Sequence, residues 1–215
     1  TTEQNVVLEN YYLDFVRGGA NLRKDAKEKF KKINEELSLL GVKFSENILK
    51  ETNAVGLVID KKDLAGLPEG VIQGAAETAK GKGFDGKWAF TLQRPSWTPF
   101  LQYSEKRDLR EKLLEAYLNR GNNNNELDTK KILTKMAALR VERANLLGYK
   151  THADFKLEIN MAKNHENVFK FLNDLWKPAL HKARMETDDM QKIIDKEGGK
   201  FKLQPWDWWY YAEKV

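Results

Sequence analysis

The sequence predicts a mainly α protein, a bundle of long helices with one small antiparallel β-sheet. Through most of the 215 residues, apolar side chains recur every three or four positions, which is the period of an amphipathic helix. Two short stretches differ, residues 54–59 and residues 86–103. Residues 54–59 (AVGLVI) are rich in β-branched side chains, and Trp88, Phe90 and Leu92 alternate with smaller residues as in a half-buried strand.

The stretch 86–103 is predicted to form a β-hairpin. Residues 93–96 (QRPS) supply turn chemistry, and Pro95 and Pro99 favour extended geometry in the residue before each of them. Each proline also lacks the N–H that a central strand donates, so the second arm is expected at a sheet edge. We expect strand 54–59 to pair with this hairpin in one antiparallel sheet, because neither would be stable alone in water.

Capping residues and glycines set the boundaries of seven predicted helices. These are residues 2–17, 23–50, 69–80, a segment from the cap Ser104 to the residue before Gly121, 128–147, 151–161 and 165–196. Gly41 lies inside the predicted helix 23–50. The apolar spacing of this helix continues past Gly41, so one unbroken helix is expected. Thr151 and Asp154 form a variant of the capping box, Pro178 predicts a bend, and residues 122–125 (NNNN) predict an exposed loop without a packing role.

The composition is that of an ordinary globular protein. Of the 215 residues 41% are hydrophobic, and no apolar run approaches the roughly 18 residues that a membrane helix needs. The 37 Lys and Arg exceed the 32 Asp and Glu, which gives a net charge of +5. Both signs alternate at helical spacing in residues 23–36, a pattern typical of a solvated helix face. We therefore expect neither a nucleic-acid partner nor a membrane partner.

Two features of the sequence bear on the cellular compartment. With no Cys, disulfides, thiol nucleophiles and thiolate metal sites are excluded, and a reducing compartment is favoured, which predicts a cytoplasmic location. The sequence begins with Thr1 and not with Met, so we expect that a segment preceded it. A periplasmic or exported protein therefore stays an open alternative.

One glycine-rich stretch is close to a phosphate-binding motif. Gly81, Gly86 and Lys87 fit the spacing G-x-x-x-x-G-K of a P-loop. Trp88, however, occupies the position of the Ser or Thr that contacts magnesium, and the segment leads from helix to strand, the reverse of the order that directs helix amides at phosphate. We interpret the stretch as a helix-to-strand turn.

Histidines and carboxylates form no recognisable catalytic or metal motif. The three histidines are His152, His165 and His181, and no two of them are three or four residues apart, so the zinc motif H-E-x-x-H is absent. His152 and His165 each follow a capping residue in a first helical turn, which favours surface or capping roles. The sequence therefore predicts no catalytic, cofactor-binding or metal-ligating residue.

Six segments, in the same order along the chain, resemble the thimet oligopeptidase and peptidyl-dipeptidase (dipeptidyl carboxypeptidase) family of zinc metallopeptidases. No single segment identifies the family. The evidence for the resemblance is the shared order of the six segments over essentially the whole chain. They are residues 14–22 (DFVRGGANL), 33–37 (INEEL), 63–68 (DLAGLP), 139–149 (LRVERANLLGY), 161–163 (MAK) and 205–211 (PWDWWYY).

The resemblance implies a large helical enzyme with a deep channel, in which zinc is held by H-E-x-x-H and a further Glu downstream. No residue of this sequence matches these zinc ligands or the rest of the motif. Residues 1–215 are therefore expected to be a single helical fragment N-terminal to the catalytic region, part of the channel scaffold of an enzyme that hydrolyses peptide bonds in short peptides. Zinc would belong to the parent, and the fragment alone would be inactive. The alternative is a free-standing helical scaffold or protein-interaction module.

The aromatic run from Trp206 to Tyr211 lies at the end of the sequence. So many large rings are normally buried, which suggests that the surface covering them lies elsewhere. We expect exposed apolar surface there that is covered either by a second copy of the chain, through self-association, or by the frayed end of the chain itself. A packing role is favoured over one in lining the channel. Whether the parent cuts internally or releases C-terminal dipeptides stays open.

Overall fold

The computed structural model describes residues 1–215 and contains nine α-helices and two β-strands. The strands are β1 (Val55–Ile59) and β2 (Trp88–Thr91), and a 3-10 helix (Lys61–Asp63) follows β1. The helices are α1 (Thr2–Arg17), α2 (Lys24–Thr52), α3 (Glu69–Gly81), α4 (Arg94–Tyr103), α5 (Arg107–Leu118), α6 (Lys130–Leu146), α7 (His152–Leu157), α8 (His165–Lys196) and α9 (Trp208–Ala212). The prediction of a mainly α fold with one small antiparallel sheet is confirmed. No helix combines the length and the apolar character that crossing a membrane requires.

The chain divides into two compact units. The first unit contains residues 1–45 and 130–174, and the second contains residues 46–129 and 175–215. Helices α2 and α8 each begin in the first unit and end in the second. α2 is one helix past Gly41, as predicted, and α8 is one helix that contains Pro178. The bend at Pro178 stays a prediction.

The first unit is built from α1, α6, α7 and the first part of α2 and α8. Its helix ends follow the capping signals in the sequence. Thr151 and Asp154 form the predicted capping box at the start of α7, although that helix is shorter than expected. Gly148, beyond the end of α6, has a positive φ of 86°. The largest apolar side chains buried in this unit are Ile33, Leu139 and Phe155.

The sheet lies in the second unit and pairs β1 with β2 in antiparallel orientation. Ile59 faces Trp88 and Val55 faces Thr91, with an irregularity between Val55 and Leu57. The predicted pairing of 54–59 with the strand beginning at Trp88 is therefore confirmed. Gly81–Lys87 forms the connection from α3 to β2, as the helix-to-strand interpretation requires.

The predicted hairpin over 86–103 is wrong, because its second arm is the helix α4. Pro95 lies in the first turn of α4, where the missing N–H would have no intrahelical partner anyway. The buried Trp97, Phe100 and Leu101 recur at helical spacing and pack into the core. The Ser96 hydroxyl accepts a hydrogen bond from the Thr91 N–H at 3.0 Å, which joins the end of β2 to this helix.

The second unit encloses the larger of two apolar clusters. Side chains from β1, β2, α3, α4 and α5 meet there, and Phe90, Phe100, Leu101 and Leu113 are almost fully buried. A smaller cluster joins the end of α8 to α9 through Met190, Ile194 and Tyr211. Ser104 does not cap α5 as predicted, since the residue before α5 is Lys106. Instead the buried Ser104 accepts a hydrogen bond from the Lys106 N–H at 3.3 Å.

Candidate functional site

Asp207 holds the C-terminal segment to α5 in the second unit. The Arg107 side chain donates to Asp207 at 2.9–3.1 Å, and Arg110 Nη2 donates to Asp207 Oδ1 at 2.8 Å. Arg110 also donates to the carbonyl oxygens of Ser104 (2.7 Å) and Trp206 (3.2 Å). Asp207 and Arg110 are both buried, so this cluster is a structural anchor with its charges and donors paired.

The anchor explains why the C-terminal aromatic cluster is less exposed than the sequence predicts. Tyr211 is buried, and Trp206, Trp208, Trp209 and Tyr210 are only partly exposed. Trp206 and Trp209 pack against the larger core cluster, while Trp208 and Tyr210 pack against the smaller one. The expectation of an exposed aromatic surface is therefore wrong, because Asp207 brings its neighbours onto both clusters. Self-association stays untested, and this surface no longer supports it.

In the first unit, Arg17 joins two of the segments that carry the family resemblance. Its guanidinium donates to the Phe155 carbonyl oxygen at 2.5 Å, to the Tyr149 hydroxyl at 3.4 Å and to the Glu158 carboxylate. It also lies 4.2 Å from the centre of the Phe155 ring, a cation–π contact. Burial and the hydrogen bond to Glu158 raise the pKa of Tyr149, so this phenol stays protonated and donates to Glu158 at 2.5 Å.

A further contact in the same unit links two more of these segments. Arg143 Nη1 donates to Asn34 Oδ1 at 3.1 Å, so residues 33–37 and 139–149 meet through polar side chains. Like the Arg17 contacts, this hydrogen bond joins two segments of the protein to each other. The family segments therefore meet at structural contacts that were not predicted, because the sequence does not show which residues far apart along the chain will touch.

The polar tract at 122–125 has a packing role that the sequence did not reveal. The buried Glu51 carboxylate accepts hydrogen bonds from the Gly121 N–H, from Asn123 at 3.0 Å and from Asn125 at 3.2 Å. Burial raises the pKa of Glu51, but these three hydrogen bonds outweigh it and leave the pKa below its ordinary value. The prediction of an exposed loop at 122–125 is confirmed, but the expectation that it has no structural role is wrong, because Asn123 and Asn125 donate to the buried carboxylate of Glu51.

The three histidines do not come together. His165 Nδ1 lies 2.8 Å from Asp154 Oδ1, where it links the start of α8 to the start of α7, and this hydrogen bond lowers the pKa of Asp154. His152 is half-buried, and burial together with the charges of Arg143 and Arg140 lowers its pKa. His181 is exposed on α8. No group of three or more His, Cys, Asp or Glu that could hold a metal ion occurs within residues 1–215.

A groove in the second unit lies between α3, β2 and the start of α4. Its volume is about 630 Å³. Ala75 and Phe90 contribute apolar lining, and the polar lining includes Lys82 and Gln93, which both donate to Asn53, at 3.3 Å and 2.5 Å. Its lining contains no His, Cys, Asp or Glu, and its one titratable side chain, Lys82, donates to the Asn53 carbonyl oxygen.

These observations define a mainly helical protein in which Arg17, Arg110 and Asp207 form charged contacts that hold separate segments together. Peptidase family M3 matches residues 100–215, more than half of the chain, and the chain belongs to this family. Oligopeptidase A of Haemophilus influenzae is 36% identical over 98% of this chain and 32% of its own length. Dipeptidyl carboxypeptidase of Escherichia coli is 36% identical over 97% of this chain and 31% of its own length. Saccharolysin of Saccharomyces cerevisiae is 26% identical over 96% of this chain.

The chain spans about a third of the length of the curated relatives it matches. The match covers both units and all the family segments seen in the sequence. Arg17, Arg143 and Asp207, which make the polar contacts described above, all lie within these segments. What this chain shares with its relatives is therefore a folded region that makes up about a third of their length.

Proposed function

We propose that the chain is part of a zinc-dependent oligopeptidase or peptidyl-dipeptidase, in which it forms part of the scaffold of the substrate channel. The whole protein would hydrolyse peptide bonds in short peptides. The observation that carries the proposal is the identity of about 35% that extends over nearly the whole chain to relatives named oligopeptidase A and dipeptidyl carboxypeptidase. In this proposal residues 1–215 are one helical region on the N-terminal side of the catalytic region.

Zinc belongs to the proposed parent and does not fit the residues of this chain. A peptidase zinc site needs three protein ligands that converge on one point, usually His and Glu. Here His165 lies beside Asp154 and Glu166, and the other two histidines are elsewhere on α7 and α8. The two buried carboxylates Glu51 and Asp207 accept hydrogen bonds from amide and guanidinium donors. No catalytic step is therefore assigned to a residue of this chain.

The test compares the isolated chain with the full-length parent. The gene is first read beyond the codon for Val215, where we expect the reading frame to continue into H-E-x-x-H. The parent should bind about one zinc per chain, cleave short peptides and lose activity to a chelator. The isolated 215-residue chain should bind no stoichiometric zinc and leave the same peptides intact.

Two results would contradict the proposal. Stoichiometric zinc with peptide cleavage by the isolated chain would place a catalytic site within these residues. A reading frame that stops after Val215 would instead favour a free-standing scaffold or interaction module. Product analysis on the parent also separates internal cleavage from release of C-terminal dipeptides. We propose a cytoplasmic location for the parent, supported by a relative in Arabidopsis thaliana named a probable cytosolic oligopeptidase A.

A further inference from the structure

One side of α8 is apolar and largely uncovered over about three and a half turns. We call this side the α8 face, and it consists of Val168, Phe169, Leu172, Leu175, Trp176 and Leu180. These residues recur at the three- and four-residue spacing that places them on one side of a helix. Phe169 is 60% exposed, Leu172 51%, Leu175 50% and Trp176 63%. The opposite side of the helix carries Lys170, Asp174, Lys177 and His181.

Most of the α8 face is uncovered, since Val168 and Leu180 at its two ends are partly buried and the four residues between them are at least half exposed. The buried residues of α8 are Met190 and Ile194, both C-terminal to the face. A long helix in water is stabilised mainly by packing of its apolar side, and contiguous exposed patches of this kind mark interaction surfaces. The presence of two large aromatic side chains, Phe169 and Trp176, strengthens this conclusion, because such residues contribute most to the energetics of buried interfaces.

The length of the relatives indicates what covers the α8 face. The relatives match 97–98% of this chain, yet the chain makes up only 31–32% of their length, so most of each relative lies outside the matched region. Between residues 165 and 184, α8 carries Lys170, Lys177, Lys182 and Arg184 against Glu166 and Asp174, which is a formal charge of +2. Lys170 and Lys177 lie on the side of α8 opposite the face, so charge does not exclude a second copy, and the choice of occupant rests on the length of the relatives.

We propose that the α8 face is the docking surface for the remainder of the M3 protein, the part of the longer parent that lies outside residues 1–215. This inference rests on the proposed function, in which the chain is part of a longer protein. The covering surface should be apolar at its centre and acidic at its rim, to complement the net positive charge of this part of α8. Docking then covers Phe169, Leu172 and Trp176 and leaves Lys170 and Lys177 in water.

Cysteine labelling tests the proposal, because the chain has no cysteine of its own. Leu172→Cys and Phe169→Cys place a thiol on the α8 face, and Lys177→Cys is the matched control on the opposite side of the same helix. Each substitution is made in the isolated chain and in the full-length parent, and circular dichroism checks that helix content is kept. Reaction with a maleimide is followed by mass spectrometry of the peptide that contains the site, so any cysteine elsewhere in the parent does not interfere.

The two face thiols should react at least about tenfold more slowly in the parent than in the isolated chain, because labelling then requires local opening. Lys177→Cys should react at the same rate in both. Equal rates for the face thiols in the two proteins would overturn the proposal, as would a gene that ends after Val215. Slow labelling in the isolated chain that speeds up on dilution would also overturn it and identify a second copy as the occupant.

Labelling measures the burial of the thiol and not catalysis. The docking surface and the proposed function can therefore be refuted independently of each other. Protected face thiols in a parent that cleaves no peptide would support the docking surface and refute the proposed function. Reactive face thiols in a parent that binds zinc and cleaves peptides would do the reverse.

Discussion

Arg110 and Asp207 form an ion pair of 2.8 Å in which both side chains are withdrawn from solvent. The pair joins α5 to the segment that begins α9. Arg107 gives Asp207 a second positive partner, while the carbonyl oxygens of Ser104 and Trp206 take the remaining Arg110 donors. A buried charge is tolerated only when it is paired in this way, so the four contacts depend on one another.

Asp207→Ala should destabilise the chain by about 3–5 kcal/mol, because it leaves Arg110 buried without its counter-ion. The measurement is urea unfolding followed by tryptophan fluorescence, which also reports on the nearby Trp206, Trp208 and Trp209. Asp108→Ala is the matched control, since Asp108 lies on α5 in an exposed pair with Lys112. The control should leave the midpoint almost unchanged. A similar loss in both variants would mean that the Arg110–Asp207 pair has no special role.

Helix boundaries could be predicted where a local signal sets them. α8 begins at His165 and ends at Lys196, as expected, because Asn164 Oδ1 caps its start by accepting from the Asn167 N–H at 2.9 Å. The capping box at Thr151 is equally local. α4 was missed because Pro95 favours both a turn and a first helical turn. The spacing of Trp97, Phe100 and Leu101 was the signal that distinguished them.

Contacts between residues that are far apart along the chain could not be predicted. Glu51 and Asn123 are 72 positions apart, and Arg17 and Glu158 are 141 apart. No pattern in the neighbouring sequence distinguishes any of these side chains. Its hydrogen-bond partner is known only from the folded structure. The family could be identified because its segments keep their order along the chain, which requires no knowledge of contacts. The catalytic residues could not be assigned, because no residue here matches the motif that would carry them.

Arg17→Lys should destabilise the chain by about 1–3 kcal/mol. A lysine cannot reproduce the planar guanidinium that donates to the Phe155 carbonyl oxygen and to Tyr149 and Glu158 together. Thermal unfolding measures the effect, and Arg23→Lys, at an exposed position close by in the sequence, is the control. An unchanged melting temperature for Arg17→Lys would show that charge alone is sufficient at this position.

The Glu51 carboxylate should make the chain less stable in acid. Its pKa is lowered in the folded state, so its contribution is fully present above the unfolded-state pKa and is lost as the pH falls through the folded value. At pH 7, Glu51→Gln should cost about 1–3 kcal/mol, because the amide accepts fewer of the three hydrogen bonds. The difference between the two proteins should shrink as the pH falls below about 4.5, the ordinary pKa of a glutamate. Urea unfolding between pH 3 and pH 7 measures it, and a constant difference would contradict the assignment.

Three glycine substitutions should separate backbone strain from crowding. Gly121 has a φ of 74°, and a Cβ there would lie 2.5 Å from Thr129 Oγ1 and 2.8 Å from Ile48 Cδ1. Gly121→Ala should therefore cost about 2–5 kcal/mol, from a left-handed backbone and a filled site together. A Cβ at Gly148 would have open space around it, and the φ there is 86°. Gly148→Ala should therefore lower the free energy of unfolding by about 1–2 kcal/mol, from backbone strain alone. Gly41→Ala lies in open space in the middle of α2 and should stabilise the chain by about 1 kcal/mol.

The urea midpoints should decrease in the order Gly41→Ala, unmodified chain, Gly148→Ala, Gly121→Ala. Equal midpoints for the last two would show that Thr129 and Ile48 do not pack against Gly121 in solution.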